Sequence, residues 1–145
     1  MQPDIEEWEI LSAGEMHRSV PLGNGKELVS VGKLTIEEYA KTLQETYAGI
    51  SLMCSPHPSY PPLEMSVFDV KTITNTYANK DLKDFNDNMV SLDNISPNNI
   101  ATHLTEICKA YRPQVEHKEA NPLYVKNDHV FDFIEEIGKI LEEEK

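Results

Sequence analysis

The stretch GISLMCSPHPSYPPLEM, Gly49 to Met65, decides how the rest of the chain is read. Its first part, Ile50 to Cys54, is an apolar run of the kind expected for a strand covered on both faces. Four prolines then follow within SPHPSYPPLEM. Pro61 and Pro62 suit the start of a helix, where a missing N–H donor would be unpaired in any case. A helix is therefore expected from about Pro62 to Asp69, with Glu64 at its third position. A core strand, a stiff loop and a helix that opens on a carboxylate form one unit of an α/β sheet.

Upstream, WEILSA (Trp8 to Ala13) is a short apolar run that stops at Gly14, as a buried strand does when it turns out of a sheet. A loop with Pro21 and the turn signal Gly23-Asn24-Gly25 leads to ELVSVG, which reads as a second strand ending at Gly32. Thr35 opens TIEE, a capping-box pattern in which Thr35 and Glu38 satisfy each other's amides. Behind it Ile36, Tyr39, Ala40, Leu43 and Tyr47 recur at helical spacing, and Gly49 stands where a left-handed cap would close the helix.

Downstream, VKTITN and NMVSL give a fourth and a fifth strand, separated by YANKDLKDFND, which is too rich in Asn and Asp for a helix. Ser96-Pro97 is a cap followed by proline at the first helical position, and Ile100, Leu104, Ile107, Cys108 and Tyr111 form the stripe behind it. Residues 112–126 contain two prolines and no clear period, as a crossing segment does. A terminal helix is expected from about Asp128, with Val130, Phe131, Ile134, Ile137 and Leu141 on one side. Strands alternating with helices imply an α/β fold, a Rossmann-like and mostly parallel sheet of about five strands flanked by helices.

The length of 145 residues is that of a single domain, 1–145, with residues 112–145 as its crossing segment and last helix. Thirteen Lys and Arg against 25 Asp and Glu leave a formal charge of −12, which repels a phosphate backbone and argues against nucleic acid as a partner. Much of that charge lies in DIEEWE and EEIGKILEEEK, the composition of solvated helix faces. Two cysteines without C-x-x-C spacing fit a reducing cytoplasm. No apolar run approaches the roughly 20 residues of a membrane span, which leaves only peripheral association with the inner face of a membrane.

In an open parallel sheet, ligands collect beyond the carboxyl ends of the strands, and SPHPSYPPLEM lies at that edge. Prolines reduce the entropy lost when the loop holds a ligand, and a helix N-terminus attracts anions. Glu64 can accept from its own helix's free amides, as a capping acid, or from two hydroxyls of a sugar. His57 is a candidate base or a solvated loop residue. Ser59 and Tyr60 can bond a phosphate or serve as ordinary loop residues. Lys33, after Gly32, is a cation for the same edge or an exposed loop lysine. His17, His103, His117 and His129 have no metal-ligand spacing, and no Walker, G-x-G-x-x-G or G-x-S-x-G motif occurs.

The run GISLMCSPHPSYPPLEMSVFDVKTITNTYANKDL resembles the donor-binding C-terminal half of GT-B glycosyltransferases, and within them the WsaF-like rhamnosyltransferases that build bacterial surface polysaccharides. The similarity runs from about Trp8 to Tyr111. It implies a GT-B C-terminal-domain fold, a nucleotide-sugar donor, in this family dTDP-rhamnose, and sugar transfer without a metal or other cofactor. On the resemblance Glu64 matches the glutamate that binds the ribose. Ser59 falls in the loop facing the diphosphate, with Tyr60 and His57 beside it, and Lys33 matches a catalytic lysine that offsets leaving-group charge.

Two departures qualify what the resemblance implies. Many GT-B enzymes carry a second glutamate eight positions before the ribose glutamate, and here that position is Pro56. The family's nucleotide half also opens with a further βα unit, and an acceptor-binding half precedes it, neither of which is found before Trp8. The expectation is thus a donor-binding fragment that does not transfer sugar by itself and whose strands close up or borrow an edge from a second copy, as a homodimer. The alternative is a non-catalytic α/β interaction module.

Overall fold

The computed structural model describes residues 8–55 and 59–113. Residues 1–7, His57 with its flanking prolines, the crossing segment beyond Pro113 and the expected terminal helix lie outside the described residues.

Strand β1, Ile10–Ala13, pairs in parallel with β3, Lys26–Gly32, from Ile10 opposite Leu28 to Ala13 opposite Gly32. Between them the chain makes a strand where the sequence leads one to expect a loop. This is β2, Val20–Gly23, antiparallel to β3 and exposed along its whole length. Gly23-Asn24-Gly25 is its hairpin turn: Gly23, Asn24 and Gly25 all have positive φ (91°, 52° and 75°), which the strand twist favours at a tight hairpin. An exposed edge also tolerates Pro21, whose missing N–H would break an inner ladder.

Helix α1, Ile36–Glu45, starts as its capping box requires. The Thr35 amide donates to Glu38 Oε2 at 2.8 Å, and the Glu38 amide donates to Thr35 Oγ1 at 3.2 Å. It ends earlier than expected. Thr46, extended at φ −83°, is its C-cap, and Gly49 does not close it. Gly49 is instead the central residue of β4, Ala48–Ile50, where a Cβ would stand 2.8 Å from Met65 Sδ and 3.5 Å from Val70 Cγ1. The glycine serves close packing against the next helix.

Strand β4 therefore begins before, and ends well short of, the expected Ile50 to Cys54. Beyond it come α2, Tyr60–Val67, then β5, Lys71–Asn75, β6, Met89–Leu92, and α3, Pro97–Ala110. Ser96 Oγ accepts from the Asn99 amide at 3.3 Å and caps α3 as expected. Strands β4, β5 and β6 form a parallel sheet in that order. Central β5 is buried from Thr72 to Asn75, and α2 and α3 both pack against it. The core gathers there, with Val70 and Ile73 fully buried beside Leu43, Met53, Val67, Met89 and Leu92.

The Asn-rich loop between β5 and β6 fastens α2 to this sheet. Asn86 Nδ2 donates to Ser66 Oγ at 2.9 Å, and Asn88 Nδ2 donates to the Ser66 carbonyl at 3.0 Å. Lys71 Nζ in turn donates to Asn88 Oδ1. Polar residues that argued against a helix are thus spent on tying two elements together, as buried polar groups must be.

The expectation of one sheet of about five strands needs correcting in count and continuity. The fold is mixed α/β and Rossmann-like, but its strands form two three-stranded sheets, β1-β3-β2 and β4-β5-β6. Strands β1 and β4 each keep one edge unpaired among the described residues. A cluster of rings joins the two sheets at the strand starts. Trp8 precedes β1, Tyr47 precedes β4, and Tyr111 follows α3; their ring centroids lie 4.8 to 5.9 Å apart, tilted or edge-on. Such pairs contribute about 0.5–1.5 kcal/mol each beyond the area they bury.

Candidate functional site

Because β4 and β5 run parallel, their carboxyl ends share one edge, and the chain leaves β4 there to enter α2. Ser59 is the N-cap of α2, extended at φ −96° and ψ 109°, and its hydroxyl makes no capping bond. The helix starts at Tyr60, two residues before the expected Pro62, so Pro61 and Pro62 occupy its second and third positions. Neither has an N–H. Of the four donors that a helix start ordinarily leaves free, the amides of Ser59 and Tyr60 remain, which weakens the helix end as an anion site.

The early start also changes the reading of Glu64. It is the fifth residue of α2, not the third, and the first turn holds no acidic residue. Glu64 is therefore not the capping acid of its own helix. It is exposed, and no hydrogen bond or ion pair engages it among the described residues. Its electrostatic neighbour is Tyr39 on α1, whose phenol is pushed up to about 12, first by burial and then by the negative charge of Glu64. Its spacing marks Tyr39 only as a core position of the α1 stripe. Nothing in its spacing marked it as a neighbour of the carboxylate, because the two lie on different helices.

Tyr60 is 66% exposed and Ser59 partly buried, both at the mouth of this edge. His57 falls outside the described residues. Lys33 follows β3 and forms an ion pair with Glu15, which follows the parallel strand β1, at 2.8 Å. Both side chains are largely in water, so the pair is weak and readily exchanged for another anion. Sequence reasoning missed Glu15, since only the parallel register of β1 and β3 brings it opposite Lys33. The ring cluster gathers the starts of β1 and β4, so Lys33 and the Ser59–Glu64 segment both stand at the far, carboxyl ends of parallel strands.

Two further features of the β5 end carried no signal in the sequence. Asn75, 4% exposed, closes β5 and turns its amide toward the chain leaving β4: Oδ1 accepts from the Met53 amide at 2.6 Å, and Nδ2 donates to the Met53 carbonyl at 3.1 Å. Lys80 sits in a tight turn bridged to Tyr77, and its Nζ is buried without a hydrogen-bond partner among the described residues.

Among the described residues no group of His, Cys, Asp and Glu is placed to hold a metal ion, and no helix is long and apolar enough to cross a membrane. Cys54 and Cys108 are free thiols, and burial raises the pKa of Cys108.

No curated protein matches the chain. The family model of the WsaF C-terminal domain matches residues 1–105, a span that holds both sheets, all three helices but the end of α3, and every described candidate residue. With most of its length matched, the chain belongs to the WsaF C-terminal domain family, a glycosyltransferase-related family.

Proposed function

We propose that this chain is the donor-binding half of a bacterial glycosyltransferase of GT-B type, taking a nucleotide sugar, in the first place dTDP-rhamnose, for transfer to a surface-polysaccharide acceptor. The observation that carries the reading is the freedom of Glu64. A carboxylate one turn into α2, exposed, outside its own helix cap and beside the carboxyl edge of a parallel sheet can accept from the two hydroxyls of a ribose.

Ser59 and Tyr60 border the diphosphate in this reading. Lys33 exchanges Glu15 for the leaving nucleoside diphosphate and offsets the charge that develops as the sugar departs, which lets transfer proceed without a metal. The two prolines at the start of α2 make that cation more important, since they remove amides that would otherwise share the task. The donor half alone supplies no acceptor site, so the isolated chain binds donor without turnover. The site works in the cytoplasm, at the inner face of the membrane where such acceptors are assembled.

Titration of the intact glycosyltransferase with dTDP tests the assignment. Glu64→Ala is expected to weaken binding by about 10-fold or more, the worth of hydrogen bonds to a charged acceptor. Equal affinity in the variant contradicts it.

A second reading, a non-catalytic interaction module, is favoured by two observations: among the described residues β1 and β4 keep open edges, and Ile36 and Met16 are 86% and 71% exposed. A chain that binds no nucleotide but captures a partner strand fits that reading and not the first.

A further inference from the structure

The regular ladder between β4 and β5 runs from Ala48 opposite Lys71 to Ile50 opposite Ile73. One more backbone bond, from the Ser51 amide to the Ile73 carbonyl at 2.9 Å, extends it. After that the chain departs from the sheet, yet it remains bonded to β5 through a side chain. The primary amide of Asn75 offers one acceptor and one donor in a plane, as a peptide group does, and both engage the same residue, Met53. A third bond, from Nδ2 to the Thr76 carbonyl at 2.8 Å, fixes the rotamer. The backbone of Asn75 stays in the ladder with β6, opposite Leu92.

This arrangement stands the Met53 backbone away from β5 by the length of an asparagine side chain while keeping it hydrogen-bonded. Both residues are buried, at 4% and 5% exposure, so the bonds are shielded from water and their loss is not made good by solvent. The next residues lead toward Ser59 and α2, the elements that border the site.

We propose that Asn75 is a positioning residue for the donor site: its side-chain amide replaces a rung of the β4–β5 ladder and sets where the chain leaves the sheet on its way to Ser59 and the start of α2. The proposal rests on the donor-binding reading for its functional consequence, and on the geometry alone for its structural one. A shorter or apolar side chain at this position leaves the Met53 amide and carbonyl buried without partners. An ionised carboxylate keeps the acceptor and sets a negative charge against the Met53 and Thr76 carbonyls.

The test uses Asn75→Asp in the full 145-residue chain. When protonated, the substituted carboxyl again presents an acceptor and a donor; when ionised, it has lost the donor, and burial favours the protonated form well above the usual carboxylate range. None of the groups bonded to the side chain of Asn75 is titratable. Two readouts are followed at about pH 8 and about pH 5, on either side of a raised carboxyl pKa: hydrogen exchange at the Met53 amide, and affinity for dTDP relative to wild type. Exchange relative to wild type is expected to speed up by about 10-fold or more at the higher pH, because the charge repels the Met53 and Thr76 carbonyls and opens the segment although the Met53 amide keeps an acceptor. At the lower pH it is expected to return toward wild type, with the affinity ratio following it.

Exchange at Met53 that is unchanged at both pH values overturns the proposal. So does a loss of affinity that the lower pH does not restore while exchange is restored. If wild type itself binds no dTDP, the donor-binding reading fails, and the exchange profile still decides whether Asn75 sets the departure of the chain. Asn75→Leu, which cannot regain its bonds at any pH, is expected to show fast exchange throughout, and protection in that variant equal to wild type also overturns the claim.

Discussion

At the scale of single residues, the account turns on which polar groups are already engaged. Among the described residues Glu64 is exposed and without a bonded partner, while the hydroxyl of Ser59 makes no capping bond; these are groups with bonding capacity left for a ligand. Lys80 is the opposite case, a side-chain nitrogen withdrawn from water with no acceptor among the described residues. Burying a charge without a partner costs free energy, and an apolar chain of similar shape avoids that cost. Lys80→Met is therefore expected to stabilise the chain by about 1–3 kcal/mol, read from denaturant midpoints. A variant less stable than wild type would show that the ammonium is satisfied in solution. None of this distinction is legible in the sequence, where Lys80 is one residue of a polar loop and Asn75 the last residue of an expected strand.

At the scale of elements, local signals were legible wherever local chemistry decides the outcome. TIEE formed the capping box it spells, and Ser96-Pro97 opened α3. Glu38 is held below the ordinary carboxylate range mainly by its bond from the Thr35 amide and then by the Thr35 hydroxyl. A lowered folded-state pKa means stability that is present above the unfolded value and lost as pH falls through the folded one. The melting temperature of wild type is thus expected to exceed that of Glu38→Gln at neutral pH, with the gap closing below about pH 4. A gap independent of pH contradicts the capping role of the charge. Thr35→Ala is expected to cost about 1 kcal/mol, as loss of an N-cap does.

Elements whose cause is tertiary were misread. Gly49 looks like a helix cap along the chain, but the space beside it is claimed by Met65 on α2. The hairpin strand β2 has neither an apolar face nor burial to announce it, and only its turn residues were visible. The start of α2 shifted by two residues because proline is tolerated throughout a first turn, and that shift moved Glu64 out of the cap.

At the scale of the whole molecule, the sequence conveyed the α/β class and the order of most elements, but not that the strands divide into two sheets. Pairing between distant strands has no local signature. The edges of β1 and β4 that are unpaired among the described residues, on strands whose starts are joined by Trp8, Tyr47 and Tyr111, are the consequence that matters. Unpaired parallel edges are templates for another strand. We expect the chain to self-associate, with a light-scattering mass that rises toward twice 16.5 kDa as concentration increases. A monomer mass at every concentration would count against borrowing of an edge from a second copy.

The central claim is that α2 presents Glu64 to the ribose of a nucleoside diphosphate. A crystal structure of the chain with dTDP bound tests it most directly. The account predicts ribose hydroxyls within about 2.6–3.2 Å of the Glu64 carboxylate and the diphosphate turned toward Ser59 and Lys33. A nucleotide seated elsewhere, with Glu64 still in open water, would contradict it.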